Sequence, residues 1–289
     1  MWKRRVNDVL AALTGHELRA VGGSKQVQPA RPQQRVQPQK RAAPPRKKPA
    51  PAPKKPTSRR KRRPMPQHWD AEAQAIIRRV KPRTMTSRYK LIALVVAARY
   101  IVEQRIPGDV VECGVWRGGS MQAAALSLLG AGDTTRELHL FDTFEGMTAP
   151  TDRDLRRDGR SAADLMATQD REARVWAVAG LDDVREGMAE LDYPQDRIHY
   201  HQGPVEETIP EQAPERIALL RLDTDWYEST KHELEHLYDR LSPGGVLILD
   251  DFGHWEGAKQ ATLEFLERTG EPLLLVPAGS GRIAVKPWR

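Results

Sequence analysis

The chain has 289 residues and a net charge of +7, and it contains one cysteine, Cys113. A lone cysteine excludes an internal disulfide and a cysteine zinc site, and no window approaches the roughly 20 apolar residues of a membrane span. Residues 1–66 carry 19 Lys and Arg against Asp8 and Glu17, a net charge of +17, so the remainder carries −10. We therefore expect a cytoplasmic protein whose basic region gives it access to the inner face of the membrane.

The first 66 residues divide into two predicted segments. Residues 1–22 form a short basic amphipathic helix, because apolar residues recur at helical spacing: Trp2, Val6, Val9, Leu10 and Leu13. Residues 23–66 form a disordered linker, because Pro, Lys and Arg dominate and little apolar surface is available for burial. The basic segments suit an anionic membrane surface or an acidic partner. A helix that packs on the folded domain explains residues 1–22 equally well.

Residues 67–289 have the pattern of an α/β domain. Strands are predicted at 109–115, 137–144, 197–201, 217–223, 245–250, 273–276 and 282–285. Helices are predicted at about 70–80, 87–104, 120–129, 181–191, from 206 onward, 229–241 and 257–268. This alternation predicts a Rossmann-like, mostly parallel seven-stranded sheet with helices on both faces. Ligands of such sheets bind beyond the carboxyl ends of the strands.

The first predicted strand runs through Glu112 and Cys113 into Gly114 and then a helix. Glycines let the backbone approach a ligand, and a carboxylate accepts hydrogen bonds from an ammonium group. The spacing is neither GxGxxG nor a P-loop, so a phosphate site is not favoured. We interpret Cys113 as a small buried apolar residue.

The second predicted strand ends in Asp142. An acidic residue at this point commonly accepts the ribose hydroxyls of a nucleoside ligand. Together with Glu112, it predicts a nucleoside that carries an amino-acid group. The alternative, two acids that merely face solvent at strand ends, stays open at this point.

Acidic residues also follow two later strands, Asp223 and Asp225 after one and Asp250 and Asp251 after the next. If these strands are neighbours, the carboxylates converge, and they repel unless a cation neutralises them. Oxygen ligands suit Mg²⁺. The alternative is that these residues cap the helices that follow. The histidines His199, His201 and His254 lack a recognisable partner, and we interpret them as structural.

Residues 83–289 resemble the macrocin O-methyltransferase family, the sugar-modifying methyltransferases of antibiotic pathways. Four motifs carry the resemblance, in the family's order and spacing: residues 110–120, 141–147, 222–230 and 244–251. The Thr-Met-Thr-Ser stretch at 84–87 also matches the family. The basic tail is a departure, and residues 145–180, where acceptor specificity should be built, contain no motif that identifies a sugar.

The resemblance implies a class I methyltransferase fold and a homo-oligomer. It implies bound S-adenosylmethionine at Met85, Ser87, Glu112, Gly114, Ser120 and Asp142. It also implies Mg²⁺ at Asp223, Asp250 and Asp251, with Asp225 as general base. We expect transfer of a methyl group to a hydroxyl of a sugar or glycosylated small molecule, whose vicinal diol binds the metal.

Two other functions compete with this prediction. The basic tail would suit a methyltransferase that acts on nucleic acid, although the domain's charge of −10 disfavours such a partner. A scaffold tethered to a membrane or to a partner would need no catalysis. The complete set of acidic residues argues against a scaffold, because degenerate sites usually lose one such residue.

Overall fold

The computed structural model describes residues 65–171 and 173–288. The helix predicted for residues 1–22 and nearly all of the linker predicted for 23–66 lie outside the described residues, together with the partner surface predicted there. No helix among the described residues is long and apolar enough to cross a membrane.

Helices and strands alternate along the described residues, as the sequence predicts. The α-helices are α1 (Ala71–Val80), α2 (Arg88–Glu103), α3 (Gly119–Gly130), α4 (Ala162–Ala167), α5 (Leu181–Ala189), α6 (Val205–Thr208), α7 (Tyr227–Leu237) and α8 (Glu256–Thr269). The strands are β1 (Asp109–Cys113), β2 (Leu138–Asp142), β3 (Ile198–Gln202), β4 (Ile217–Leu222), β5 (Leu241–Leu249), β6 (Val276–Ala278) and β7 (Gly281–Val285). Short 3₁₀ helices lie at Lys81–Arg83, Arg174–Trp176 and Gln195–Arg197.

The strands form one seven-stranded sheet in the order β3-β2-β1-β4-β5-β7-β6. Strands β1 to β5 are parallel, whereas β7 runs antiparallel to β5 and β6 runs antiparallel to β7. The predicted Rossmann-like, mostly parallel sheet is confirmed. The strand order reverses between β1 and β4, and such a reversal opens a crevice for ligands beyond the carboxyl ends of these strands.

Both faces of the sheet are covered by hydrophobic cores, because side chains along a strand point alternately to its two faces. On one face Val110 and Leu140 pack with residues of α1, α2, α3 and α5. On the other face Val111 and Phe141 pack with residues of α6, α7 and α8. The strands are thus buried on both sides, and their carboxyl ends and the turns that follow are left to form a site.

The strand predicted at 273–276 is wrong over its first three residues, because β6 begins at Val276. A two-residue turn pairs Ala278 with Gly281, and the pairing with β7 reaches back only as far as Val276. Leu273 and Leu275 pack against the second core without strand pairing.

Helix α4 was not predicted, because its six residues are too few to show helical periodicity. The Ser161 side chain accepts a hydrogen bond from the Asp164 amide and so caps its first turn. Leu165 and Met166 pack with the indoles of Trp226 and Trp255. The segment of residues 145–180 is therefore attached to the turns that follow β4 and β5.

Candidate functional site

A cavity of about 650 Å³ opens where β1, β2, β4 and β5 end, which is a volume typical of small-molecule sites. Eight of the ten predicted site residues line it: Met85, Ser87, Gly114, Asp142, Asp223, Asp225, Asp250 and Asp251. Glu112 and Ser120 are not among the lining residues, and both are buried. The topology therefore brings together most of the residues that the sequence singled out.

Gly114 allows the turn after β1 to lie directly against the turn after β4. Its φ is +83°, and a Cβ atom there would lie 2.2 Å from the carbonyl oxygen of Asp223. A side chain at this position would thus clash with backbone and strain the chain. The two turns, packed together at Gly114, form the floor of the cavity.

Asp142 fixes two turns that line the cavity. Its Oδ2 atom accepts hydrogen bonds from the amides of Val115 at 2.7 Å and Trp116 at 2.9 Å. Its Oδ1 atom accepts from the amide of Phe144 at 2.8 Å and the hydroxyl of Thr143 at 3.3 Å. The carboxylate predicted to accept ribose hydroxyls therefore has each oxygen already paired twice within the chain.

Residues 84–87 lie against the start of α3. The hydroxyls of Thr84 and Thr86 each lie 3.4 Å from the Ser120 hydroxyl. Ser87 caps α2 by accepting a hydrogen bond from the Lys90 amide. The predicted cofactor residues of this segment, Met85 and Ser87, face the cavity, whereas Ser120 anchors the segment from behind.

Glu112 is paired inside the protein with Arg221, its neighbour across the sheet on β4. The Arg221 Nη1 atom donates to Glu112 Oε1, and both side chains are almost fully buried. Burial raises the pKa of Glu112 to about 7, although the Arg221 charge opposes the shift. The other oxygen, Oε2, is buried without a hydrogen-bond partner among the described residues.

Three carboxylates converge at the floor of the cavity. One oxygen from each of Asp223, Asp225 and Asp251 lies within 4.8 Å of the others. Burial raises the pKa of Asp225 to about 7 and that of Asp223 and Asp251 well above the usual range. Asp225 also has a φ of +73°, and such strain in a residue other than glycine concentrates at functional sites.

Asp250 contacts Asp223 of this cluster and also pairs with two cations. Its Oδ1 atom accepts from Arg221 Nη2 at 2.6 Å, and its Oδ2 atom accepts from Lys90 Nζ. Burial alone would raise the pKa of Asp250, but the charges of Arg221 and Lys90 lower it to about 2. The ligand set implied by the resemblance and the geometric cluster thus share Asp223 and Asp251, and Asp250 adjoins the cluster through its contact with Asp223.

Carboxyl groups outnumber cations in this part of the protein. Two cations, Arg221 and Lys90, lie among five carboxyl groups: Glu112, Asp223, Asp225, Asp250 and Asp251. Carboxylates at this density need protons or a cation to neutralise them. Asp251 Oδ2 is buried without a hydrogen-bond partner among the described residues. These oxygens are the kind of donor set that Mg²⁺ binds, so the residues fit that ion.

The opposite wall of the cavity comes from the segment at 145–180 and the turn after β5. Its polar residues Arg156, Gln169, Arg174 and His254 line the cavity beside apolar ones such as Trp255. Burial lowers the pKa of His254, and nearby Lys90, Arg157 and Arg156 lower it further. This histidine, which the sequence suggested was structural, faces the cavity, whereas His199 and His201 do not line it.

Asp154 is a residue that sequence reasoning missed. It is fully buried, and its Oδ1 atom accepts from the Tyr227 amide at 2.7 Å, at the start of α7. Its Oδ2 atom accepts from the amide and the hydroxyl of Thr151. It ties the loop at 145–180 to the turn that carries Asp225. No local sequence signal separates it from the other acids of this loop.

The family model for macrocin O-methyltransferases (TylF) matches residues 18–274. A tetracenomycin rhamnosyl 4′-O-methyltransferase from Streptomyces olivaceus is 36% identical over 174 residues, which are 58% of this chain and 62% of that protein. Mycinamicin III 3″-O-methyltransferase from Micromonospora griseorubida is 34% identical over 165 residues, 57% of this chain and 63% of that protein. The chain thus aligns with about three fifths of the length of these relatives.

Two solved structures agree with this likeness. The O-methyltransferase NovP has a TM-score of 0.63 and 27% identity, covering 71% of this chain and 83% of its own. The calicheamicin methyltransferase CalS11 has a TM-score of 0.52 and 19% identity, covering 74% of this chain and 91% of its own, and it supports the fold alone. Because the family model spans most of the sequence, this chain belongs to the macrocin O-methyltransferase family.

Proposed function

We propose that the protein transfers a methyl group from S-adenosylmethionine to a hydroxyl of a sugar-bearing small molecule and that it requires Mg²⁺. The observation that carries this proposal is the convergence of Asp223, Asp225 and Asp251 on the floor of the cavity at the sheet's crevice. Family membership supports the reaction type. The names of the relatives, which describe methylation of rhamnosyl tetracenomycin and of mycinamicin, support the acceptor class.

The cofactor half of the cavity is proposed to lie between the turn after β1 and residues 84–87. Gly114 lets the turn after β1 pack against the backbone of Asp223 and lines the cavity, as Met85 and Ser87 also do. Asp142 contributes by fixing the turns at 115–116 and 143–144. Glu112 contributes through Arg221, because it does not line the cavity.

We propose Asp223 and Asp251 as the protein ligands of Mg²⁺, since one or two carboxylates are the usual protein contribution to a magnesium site. When bound, Mg²⁺ lowers the pKa of a hydroxyl that contacts it, and S-adenosylmethionine supplies an electrophilic methyl group. Asp225, the third member of the cluster, accepts the proton of the acceptor hydroxyl as its oxygen forms a bond to the methyl carbon. The other product is S-adenosylhomocysteine. Asp250, which lines the same cavity and contacts Asp223, is the counter-ion of Arg221 and Lys90.

Calorimetry tests the cofactor and the metal separately. We expect the full chain to bind S-adenosylmethionine, and we expect Asp251→Asn to bind it too but to lose the stimulation of methyl transfer by Mg²⁺. Asp152→Asn, at an exposed acid of the loop, is the matched control. Methyl transfer is followed by mass spectrometry with rhamnosylated and other glycosylated acceptors. Absence of cofactor binding, with and without Mg²⁺, would contradict the proposal.

A further inference from the structure

Arg221 is a charged residue in the middle strand of a buried sheet. It lies on β4 opposite Glu112 of β1 and Ile248 of β5, and its side chain is 3% exposed. A buried guanidinium keeps its charge, so the fold must surround it with acceptors. Its placement therefore demands partners from neighbouring elements.

These partners come from four separate parts of the chain. Arg221 Nη1 donates to Glu112 Oε1 at the end of β1. Arg221 Nη2 lies 2.7 Å from Asp223 Oδ2, 2.6 Å from Asp250 Oδ1 and 2.9 Å from Thr86 Oγ1. One rigid, planar group thus joins the ends of β1, β4 and β5 to the segment that precedes α2.

The contact with Thr86 links the proposed cofactor half of the cavity to the carboxylate cluster. The residues on either side of Thr86, Met85 and Ser87, line the proposed cofactor half of the cavity. Asp223, on the same guanidinium nitrogen, belongs to the cluster proposed to hold the metal. Movement of residues 84–87 toward a cofactor therefore changes the hydrogen bonding of the group that positions Asp223.

We propose that Arg221 is a positioning residue that couples the two binding events, so that a divalent cation and the cofactor each strengthen the binding of the other. The coupling rests on the proposed function, since it needs both ligands. A cation draws Asp223 toward itself and leaves more of the guanidinium free to hold Thr86. An ordered segment at 84–87 holds the guanidinium and, with it, Asp223 in place. By linkage, the factor is the same in both directions.

Thr86→Val tests this coupling with a small change, because it removes the hydroxyl that accepts from Arg221 and keeps a branched side chain of similar size. S-Adenosylhomocysteine binding is measured by calorimetry with and without Mn²⁺, and Mn²⁺ binding is measured by electron paramagnetic resonance with and without S-adenosylhomocysteine. The coupling factor is the affinity of a variant for one ligand in the presence of the other, divided by its affinity in the absence of the other. A direct loss of cofactor contacts lowers both affinities and cancels in this ratio. Ser120→Ala is the matched control, because its hydroxyl contacts Thr86 but is not a partner of Arg221.

We expect a coupling factor of about fivefold or more in the unaltered chain and in Ser120→Ala, and a factor near one in Thr86→Val. Arg221→Lys, which keeps the charge but not the planar fork, should lower the factor as well and weaken Mn²⁺ binding. A Thr86→Val factor equal to that of the unaltered chain would overturn the proposal. A coupling factor of one in the unaltered chain would also overturn the proposal, provided that each ligand binds alone. That result would leave the proposed function intact. Failure of both ligands to bind would instead reject the proposed function.

Discussion

Two groups of polar side chains interrupt the hydrophobic strands, and they differ in charge. The first group surrounds Arg221 at the ends of β1, β4 and β5. The second is a stack of three histidines on β2 and β3: His139, His199 and His201. The His139 ring lies 4.9 Å from the His199 ring and 5.3 Å from the His201 ring, centroid to centroid.

The histidine stack makes most of its hydrogen bonds within the protein, except at His139 Nε2, which is buried without a partner among the described residues. His139 Nδ1 lies 3.1 Å from His201 Nε2, and His201 Nδ1 lies 3.1 Å from Gln212 Oε1. His199 Nε2 contacts Glu137. Burial, helped by the two neighbouring histidines, lowers the pKa of His139 to about 4, so the ring is neutral at pH 7. The His139 ring therefore presents no charge to a ligand.

The Arg221 group, in contrast, keeps more carboxyl groups than cations and places three of them at the cavity floor. Polar residues inside a sheet are thus a weak indicator of function by themselves. Charge that the chain leaves uncompensated, next to a cavity, is the stronger indicator. Three substitutions, ordered by the size of the expected effect, test this contrast.

The largest effect is expected for Asp225→Asn. The amide cannot accept a proton as a carboxylate does, so turnover should fall by about 10²–10⁴ while cofactor binding remains. Initial rates of methyl transfer and calorimetry measure the two quantities. His201→Gln, in the histidine stack, is the control and should leave turnover near that of the unaltered protein. Full turnover of Asp225→Asn would rule out its role as the base.

A second prediction concerns the close approach of the turns that bring the carboxylates together. Gly114→Ala should reduce the free energy of unfolding by about 3 kcal/mol or more, because its Cβ would lie 2.2 Å from the Asp223 carbonyl oxygen. Gly132→Ala is the matched control, since its φ of +78° is also positive but no atom lies within 4 Å. It should lose only about 1 kcal/mol, from backbone strain alone.

Urea unfolding measures both glycine variants. Equal losses of unfolding free energy in the two variants would mean that glycine is needed for its backbone conformation, and not for the close approach of the turns after β1 and β4. If Gly114→Ala lost little unfolding free energy but no longer bound the cofactor, the turn after β1 would have moved and changed the shape of the cavity. Either result would weaken the view that the two turns form one rigid floor.

Much of the fold and of the candidate site could be predicted because the signals are local. Apolar runs separated by helical patterns indicate parallel strands, and parallel strands place the residues after them on one edge. Asp223 and Asp251 meet for that reason. By the same reasoning the sequence predicts Gly114 and Asp142 at the cavity, because Gly114 directly follows β1 and Asp142 ends β2.

The partners of these residues could not be predicted, because they depend on tertiary contacts. Lys90 precedes Asp250 by 160 positions, and nothing near either residue indicates the pair. Arg221 stands next to an apolar run, and only the register of β1 against β4 sets it opposite Glu112. These two cations explain why the pKa of Asp250 is low, whereas the pKa values of its neighbours Asp223 and Asp251 are raised.

The smallest of the three effects concerns pH and the histidine stack. The pKa of His139 is about 4 in the folded protein and about 6.5 in an unfolded chain. Between these values the unfolded chain binds more protons, so the free energy of unfolding should fall as pH falls from about 6.5 to about 4, by about 2 kcal/mol. The charged and titratable groups around this ring are His199, His201 and Glu137.

His139→Phe keeps an aromatic ring in the stack and removes the titration. Because no proton is then taken up at this position on unfolding, the free energy of unfolding should vary less with pH between about 4 and 6.5, even if its value at pH 7 is lower. His68→Gln, at an exposed histidine, is the control and should keep the original slope. An unchanged slope in His139→Phe would place the acid sensitivity elsewhere, and the Arg221 group, whose carboxylates also titrate, would then be the region to vary. A reduced slope would show that the titration of His139 contributes to the acid sensitivity of the fold.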